Sequence, residues 1–177
     1  MKVAGKPYRS IWMNEDGWRV DIIDQTRLPH EFEIVTLETL EDAAHAIEIM
    51  QVRGAPLIGA TAAYGVCLAL RHDASDEALE AADARLRRTR PTAINLMWAL
   101  DEMLASVRNL PREDRLAAAY KRAGDLCDAD VETNASIGRN GLKLIEDIAA
   151  KKPNETINIL THGNAGWIAT VDWGTAL

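Results

Sequence analysis

The sequence has few cysteines and no apolar run as long as a membrane-spanning helix. Cys67 and Cys127 are the only two cysteines, and both lie in apolar helical patterns outside any Cys-x-x-Cys pair. This pattern is typical of buried, reduced thiols and predicts a cytoplasmic protein. The most apolar stretch, residues 55–70, is shorter than the roughly 20 residues that a spanning helix needs. Residues 1–16 lack the apolar core of a signal peptide.

Several common ligand motifs are also missing. The sequence contains no Gly-x-Gly-x-x-Gly, no phosphate-binding lysine loop, no Gly-x-Ser-x-Gly and no residues with metal-ligand spacing. Its net charge of −7 disfavours non-specific binding to nucleic acid or to an anionic membrane. A few arginines can still form a local basic cleft for a small anion. The 47% of hydrophobic and 27% of charged residues predict a globular protein.

The pattern along the chain predicts an α+β first domain over residues 1–153, in which a small antiparallel β region precedes a helical bundle. Residues 8–13 and 18–23 are strand-like and flank Asp16-Gly17, a hairpin-turn signal. Residues 31–37 are a third strand candidate.

Five helical segments are predicted to follow. Thr39 and Ser75 are N-cap candidates, and Pro56 suits the first turn of a helix rich in small residues, which is expected at the middle of the bundle. The fourth helix is predicted over residues 93–107. The fifth covers residues 112–150, with an interruption expected near residues 134–141, and Gly54 is expected to end the first.

The character of the sequence changes at residue 154. Residues 156–160 are predicted to form a short buried strand, and residues 167–177 could begin a helix. This order resembles the first strand–loop–helix step of a Rossmann-like α/β domain. Residues 154–177 are therefore predicted to be the start of a second, truncated domain, because one such strand cannot form a sheet alone.

Two arginines precede predicted helix starts. Arg53-Gly54-Ala55 leads into the second helix, so a guanidinium, free N–H groups and the positive helix dipole could converge on a phosphate. Arg90 has a similar place before Pro91 and Thr92, where Thr92 is a possible N-cap. The alternative in both cases is a solvated arginine beside an ordinary helix boundary.

A third candidate is the polar loop at residues 161–166. It follows the predicted strand, at the edge where α/β folds place ligands. His162 could act as an acid or base near neutral pH, and Thr161 and Asn164 could line the site. The alternative is a strand-end loop with a capping histidine.

Together, residues 52–59, 89–96 and 159–166 resemble the signature segments of the methylthioribose-1-phosphate isomerase family. The resemblance implies conversion of methylthioribose 1-phosphate to methylthioribulose 1-phosphate in methionine salvage, without a cofactor, by a homodimer. It also implies that Arg53, Gly54, Ala55 and Arg90 hold the substrate and its phosphate. No nucleic-acid or membrane partner is implied.

The sequence departs from the family in two respects. The family's catalytic cysteine position is occupied by Gly163, which has no side chain for proton transfer. The family's catalytic aspartate lies in a second domain beyond Leu177, so this chain alone is predicted to be inactive without a C-terminal half, which could be a separate chain. A ribose-1,5-bisphosphate isomerase and a non-catalytic, sugar-phosphate-sensing regulatory subunit are the alternatives.

Overall fold

The structure, a computed structural model, describes residues 1–176. The chain begins with a two-stranded antiparallel hairpin of β1 (Lys2–Val3) and β2 (Lys6–Pro7), which the sequence pattern does not predict. A three-stranded antiparallel sheet follows, in the order β3 (Ile11–Met13), β4 (Val20–Ile23) and β5 (Ile34–Leu37). The predicted antiparallel β region is therefore confirmed.

The turn between β3 and β4 is organised by Asp16, as the Asp-Gly signal predicts. The Asp16 carboxylate accepts hydrogen bonds from the backbone N–H groups of Trp18 and Arg19, at 2.9 and 3.0 Å. Gly17 has φ +81°, a left-handed conformation that glycine adopts at little cost. The central strand β4 is buried along its whole length, so the middle of the sheet lies in the core.

Five helices follow the sheet. They are α1 (Leu40–Glu48), α2 (Ala55–His72), α3 (Asp76–Arg87), α4 (Ile94–Val107) and α5 (Arg112–Lys151). Thr39 and Asp42 form a reciprocal capping box at the start of α1, and the Ser75 side chain accepts from the N–H of Ala78 at the start of α3. Both N-cap predictions are confirmed. The prediction that Gly54 ends α1 is wrong, because α1 already ends at Glu48.

Helix α2 lies at the centre of the helical layer and packs against α1, α3, α4 and α5. Most of its residues are buried, and its glycines mark the closest approaches. A Cβ at Gly65 would lie 3.1 Å from the Ala43 side chain. The small residues of α2 therefore let its neighbours approach closely, as predicted.

Helix α5 runs for 40 residues without a break, so the interruption predicted near residues 134–141 is wrong. The Asn134 side chain donates to the backbone carbonyl of Asp130 one turn earlier, and Gly141 costs a helix only about 1 kcal/mol relative to alanine. The buried residues of α5 end at Ala135. Its C-terminal part therefore extends beyond the core of the described chain.

The predicted buried strand at residues 156–160 is not observed. These residues form no strand, and Leu160 is 96% exposed. A strand needs a hydrogen-bonded neighbour, and residues 1–176 provide none there. The helix expected from residue 167 is a single 3₁₀ turn, Trp167–Ala169. No helix in the described part of the chain is long and apolar enough to cross a membrane.

Candidate functional site at the starts of α2 and α4

The start of α2 is shaped by a close backbone contact. Gly54 is the N-cap residue with φ +99°, and a Cβ there would overlap the carbonyl group of Ala169. No other residue type fits this position, because both the left-handed φ and the missing space exclude a side chain. The N-cap makes no side-chain hydrogen bond and Pro56 has no N–H, so in the first turn of α2 the N–H groups of Ala55 and Leu57 keep their capacity to bind an anion.

Arg53 stands directly before this helix start and is exposed. Within residues 1–176, its guanidinium makes no hydrogen bond or ion pair, whereas many other arginines of the chain are paired with carboxylates. A cation that precedes an uncapped helix N-terminus is suited to hold a phosphate by charge-assisted hydrogen bonds. The anion site at residues 53–55 stays a prediction.

The start of α4 also lacks a side-chain cap, but its N-cap residue is not the one predicted. Ala93, not Thr92, is the N-cap residue, so the predicted role of Thr92 is wrong. Ala93 has no hydroxyl, and the helix start again makes no side-chain cap. The turn is closed by the backbone, since the carbonyl of Arg90 accepts from the N–H of Ala93 at 2.9 Å. Arg90 is half-buried, and its guanidinium has no ion pair among the residues that the structure describes.

The first turns of α2 and α4 lie against each other. A Cβ at Gly59 would come within 2.9 Å of the carbonyl oxygen of Asn95. Between these turns and the middle of α5 lies a cavity of about 300 Å³, whose lining includes Pro56, Trp98 and Asp130. The fold therefore brings the two helix starts that carry Arg53 and Arg90 to the same end of the bundle.

The third predicted segment approaches the site through its C-terminal flank. Thr161, His162, Gly163 and Asn164 are all exposed, and Gly163 has φ +87° with open space where a Cβ would lie. Ala169, a few residues later, contacts Gly54. Among the described residues, no hydrogen bond joins His162 to Arg53 or Arg90. The structure thus brings the end of the loop to the α2 start, but not the His162 side chain.

Residues 167–174, the anchor segment, are held by hydrogen bonds from several elements. Asp130 on α5 accepts from the N–H of Val171 at 2.8 Å, and the Gln25 side chain donates to the carbonyl of Ile168 at 2.5 Å. Ser10 donates its hydroxyl to the carbonyl of Trp167 at 3.0 Å and its N–H to the carbonyl of Val171 at 2.9 Å. The anchor segment is therefore integrated into the folded core, although the loop before it is exposed.

The residues that hold the anchor segment were not among those predicted from the sequence. Ser10, Gln25 and Asp130 belong to no motif, and they act across long separations in sequence. The one local signal is the i,i+4 pair of Asp130 and Asn134 on α5, where the Asn134 side chain donates to the Asp130 carboxylate at 3.1 Å. That pair alone does not reveal the partner at Val171.

Burial raises the pKa values of several titratable groups near the core. It raises the pKa of Cys127 to about 12 and that of Cys67 well above its ordinary value, so neither thiol is suited to nucleophilic catalysis. Both cysteines are free and buried, as predicted. Burial also raises the pKa of Asp130, against the opposing effect of its hydrogen bonds from Val171 and Asn134. Within residues 1–176, no three His, Cys, Asp or Glu side chains are placed to hold a metal ion.

Comparison with known proteins identifies the relatives of this chain. It is 62% identical over 177 residues to the methylthioribose-1-phosphate isomerase of Paramagnetospirillum magneticum, with 100% of this chain and 49% of that protein covered. It is 58% identical to the protein of the same name from Sinorhizobium medicae, with 99% and 49% covered. The chain thus spans about half the length of these relatives.

Two solved structures also match almost the whole of this chain. The crystal structure of 5-methylthioribose 1-phosphate isomerase from Pyrococcus horikoshii OT3 matches with a TM-score of 0.79 and 34% identity, over 96% of this chain and 47% of that one. The delta subunit of translation initiation factor eIF-2B from A. fulgidus matches with a TM-score of 0.78 and 34% identity, over 95% and 48%. Residues 51–171 match the Initiation factor 2 subunit family. The chain therefore belongs to the Initiation factor 2 subunit family.

Proposed function

We propose that this chain is the N-terminal part of a methylthioribose-1-phosphate isomerase, and that Arg53, Gly54, Ala55 and Arg90 hold the substrate phosphate. The observation that carries the proposal is the start of α2, where an unpaired arginine precedes an uncapped helix N-terminus within the described chain. The relatives at 62% and 58% identity bear the name of that enzyme. Arg90, at the neighbouring helix start, supplies a second guanidinium.

The chemistry of the proposed reaction explains why the substrate phosphate must be bound firmly. The phosphate on the anomeric oxygen of methylthioribose 1-phosphate blocks the free aldehyde that other sugar isomerases use. The enzyme must open the ring and move hydrogen between C1 and C2 while the phosphate stays bound. Holding the substrate in a fixed geometry lowers the entropic part of the barrier, and a paired acid and base then transfer the proton.

Part of the acid–base apparatus is absent from residues 1–176 in this proposal. The family resemblance implies a cysteine at position 163, where this chain has glycine. His162 and Asn164 remain beside that position as polar groups that could line the site. The second catalytic group, an aspartate, is proposed to lie in the second half that the relatives possess. We therefore propose that residues 1–177 bind the phosphate but do not turn the substrate over alone.

We further propose that residues 154–177 lead into a Rossmann-like second domain, as the sequence pattern predicts. Supporting this, Ile159 and Leu160 are 60% and 96% exposed in the described chain. The distal part of α5 also exposes apolar side chains at helical spacing, namely Ile137, Leu144 and Ile148. Apolar surface of this kind is typical of an interface. A second domain that covers it would complete both the core and the site.

Calorimetry with methylthioribose 1-phosphate tests the phosphate grip. We expect Arg53→Ala and Arg90→Ala each to weaken binding at least tenfold, because each removes a charge-assisted hydrogen bond worth about 1.5–3 kcal/mol. Arg88→Ala is the matched control, since Arg88 is an exposed arginine two residues from Arg90. Equal affinity of the Arg53→Ala variant and the unmodified chain would refute the grip.

The catalytic part of the proposal needs a complete enzyme. We would join this chain to the second half of the Paramagnetospirillum magneticum relative and assay ketose formation with Gly163 and with Gly163→Cys. We expect turnover only with cysteine. The left-handed φ of Gly163 adds a strain of about 1–2 kcal/mol for any side chain there, unless the loop rearranges. No turnover in either form would refute the isomerase assignment.

A non-catalytic, sugar-phosphate-sensing subunit is the second candidate. Gly163 favours it, because a glycine retains the fold but not the chemistry. The structural likeness to an initiation-factor subunit, with a TM-score of 0.78, also favours it. Sugar-phosphate binding without turnover in the completed Gly163→Cys protein would support this candidate. Competition between methylthioribose 1-phosphate and ribose 1,5-bisphosphate would identify the preferred sugar.

A further inference from the structure

The exposed loop passes into the anchor segment through the half-buried residues 165–168. Thr161 to Asn164 are exposed, whereas Ala169, Thr170 and Val171 are buried. Gly166, at the junction, has φ +93° and is the N-cap of the 3₁₀ turn. The direction in which the loop leaves the core is therefore determined by how the anchor segment is held.

Asp130 makes the contact that joins the anchor segment to the helical layer. Its carboxylate accepts from the Val171 N–H at 2.8 Å and from the Asn134 side-chain amide at 3.1 Å. Asn134 in turn donates to the Asp130 backbone carbonyl at 2.9 Å, which orients both side chains. The Asn134 side-chain oxygen is buried and has no partner among the described residues. A polar group left in this state carries a free-energy cost.

The same residue lines the cavity between the first turns of α2 and α4. Two residues before Val171, Ala169 packs against Gly54 at the start of α2. The Asp130 side chain therefore contacts the anchor segment. That segment lies against Gly54 at the proposed phosphate site, and it also follows directly after the loop at residues 161–166. Burial makes the ionised form of Asp130 costly, as its raised pKa indicates, and an apolar residue of similar size would avoid that cost.

We infer that Asp130 is a positioning residue, whose carboxylate, through the Val171 N–H, sets the position of the Thr161–Gly166 loop beside the start of α2. The inference rests on the proposed function for the role of that loop. It assigns Asp130 no contact with substrate. Its effect on binding is transmitted through the anchor segment.

Hydrogen exchange of the 177-residue chain, measured by mass spectrometry, tests the positioning directly. Asp130→Ala and Asp130→Leu both remove the acceptor, and the leucine variant retains most of the side-chain volume. In both we expect exchange of residues 167–174 to become at least tenfold faster. Exchange over residues 115–127 of α5 should stay the same. Asp130→Asn should restore most of the protection, because its amide oxygen can accept from Val171.

The matched control is Asp125→Asn, which removes an exposed carboxylate of the same helix that pairs only with Lys121 among the described residues. Its exchange should equal that of the unmodified chain. Unchanged exchange of residues 167–174 in the Asp130→Leu variant would overturn the inference. So would a uniform increase over the whole chain, because that would show loss of stability and not of position.

Calorimetry with methylthioribose 1-phosphate links position to binding. We expect Asp130→Leu to weaken binding about tenfold and Asp130→Asn to restore it. Unchanged affinity in a variant with a loosened anchor segment would also overturn the inference. If the unmodified chain binds no sugar phosphate, the proposed function fails, and the exchange experiment still decides whether Asp130 holds the anchor segment from which the loop extends.

Discussion

Helix α5 crosses from a packed region of the chain into an open one and stays helical across the boundary. Up to Ala135 it carries buried residues and packs against α2 and α4, and these two helices together with this part of α5 are the packed region. Residues 136–164, the open region, have no buried residue, and Leu144 is 67% exposed. Local hydrogen bonds suffice to continue a helix once it has begun, whereas burial needs a neighbour. The difference teaches that helix content alone does not indicate where a domain's core ends.

Thiol reactivity should show the largest contrast between the two regions. Burial raises the pKa of Cys127 to about 12, so its thiolate exists in quantity only above that pH. A cysteine introduced in the open region by Leu144→Cys should titrate near the usual value of about 8.5. At pH ~8 we expect it to react with a disulfide reagent about a thousandfold faster than Cys67 or Cys127. Rapid reaction of all the thiols in the native chain would contradict the packed interior.

A glycine-to-alanine substitution should destabilise the protein in the packed region and stabilise it in the open region. Gly54→Ala places a Cβ against the Ala169 carbonyl at a left-handed φ, so it should lower the free energy of unfolding by about 2–6 kcal/mol. Gly141→Ala, in the open part of α5 with no atom near its Cβ position, should raise helix stability by about 0.5–1 kcal/mol. Urea unfolding monitored by circular dichroism measures both. A tolerated Gly54→Ala would show that the anchor segment is not seated on α2.

Replacing leucine by alanine should lower the free energy of unfolding more in the packed region than in the open region. We expect this difference to be smaller than the one for the glycine substitutions. Leu100 on α4 is fully buried, so Leu100→Ala should lower the free energy of unfolding by about 2–5 kcal/mol. Leu144→Ala should change it by less than about 0.5 kcal/mol, because the side chain is already mostly in water. Thermal unfolding of the two variants gives the comparison. Equal losses would mean that the apolar side chains of the open region are covered in solution, as in a homodimer.

Local signals in the sequence predicted the fold correctly in several places. The capping residues Thr39 and Ser75, the Asp16 turn and the small-residue helix α2 were all predicted and are all observed. Prediction failed where the outcome depends on neighbours distant in sequence. Residues 156–160 have the composition of a buried strand, but no strand lies beside them in the described chain. Asn134 and Gly141 suggest a break, yet the hydrogen bonds of α5 continue through them.

The residues of the candidate site were likewise predicted only where the signal is local in the sequence. Arg53, Arg90 and the loop at residues 161–166 were selected from the sequence alone, because an arginine before a helix start is a local pattern. By itself the sequence determined most of the helices, the caps at Thr39 and Ser75 and these candidate groups, since all depend on interactions over a few residues. Only the tertiary structure brought the two helix starts together and joined Asp130 to Val171. Such contacts depend on packing between segments far apart in the chain, which no local pattern records.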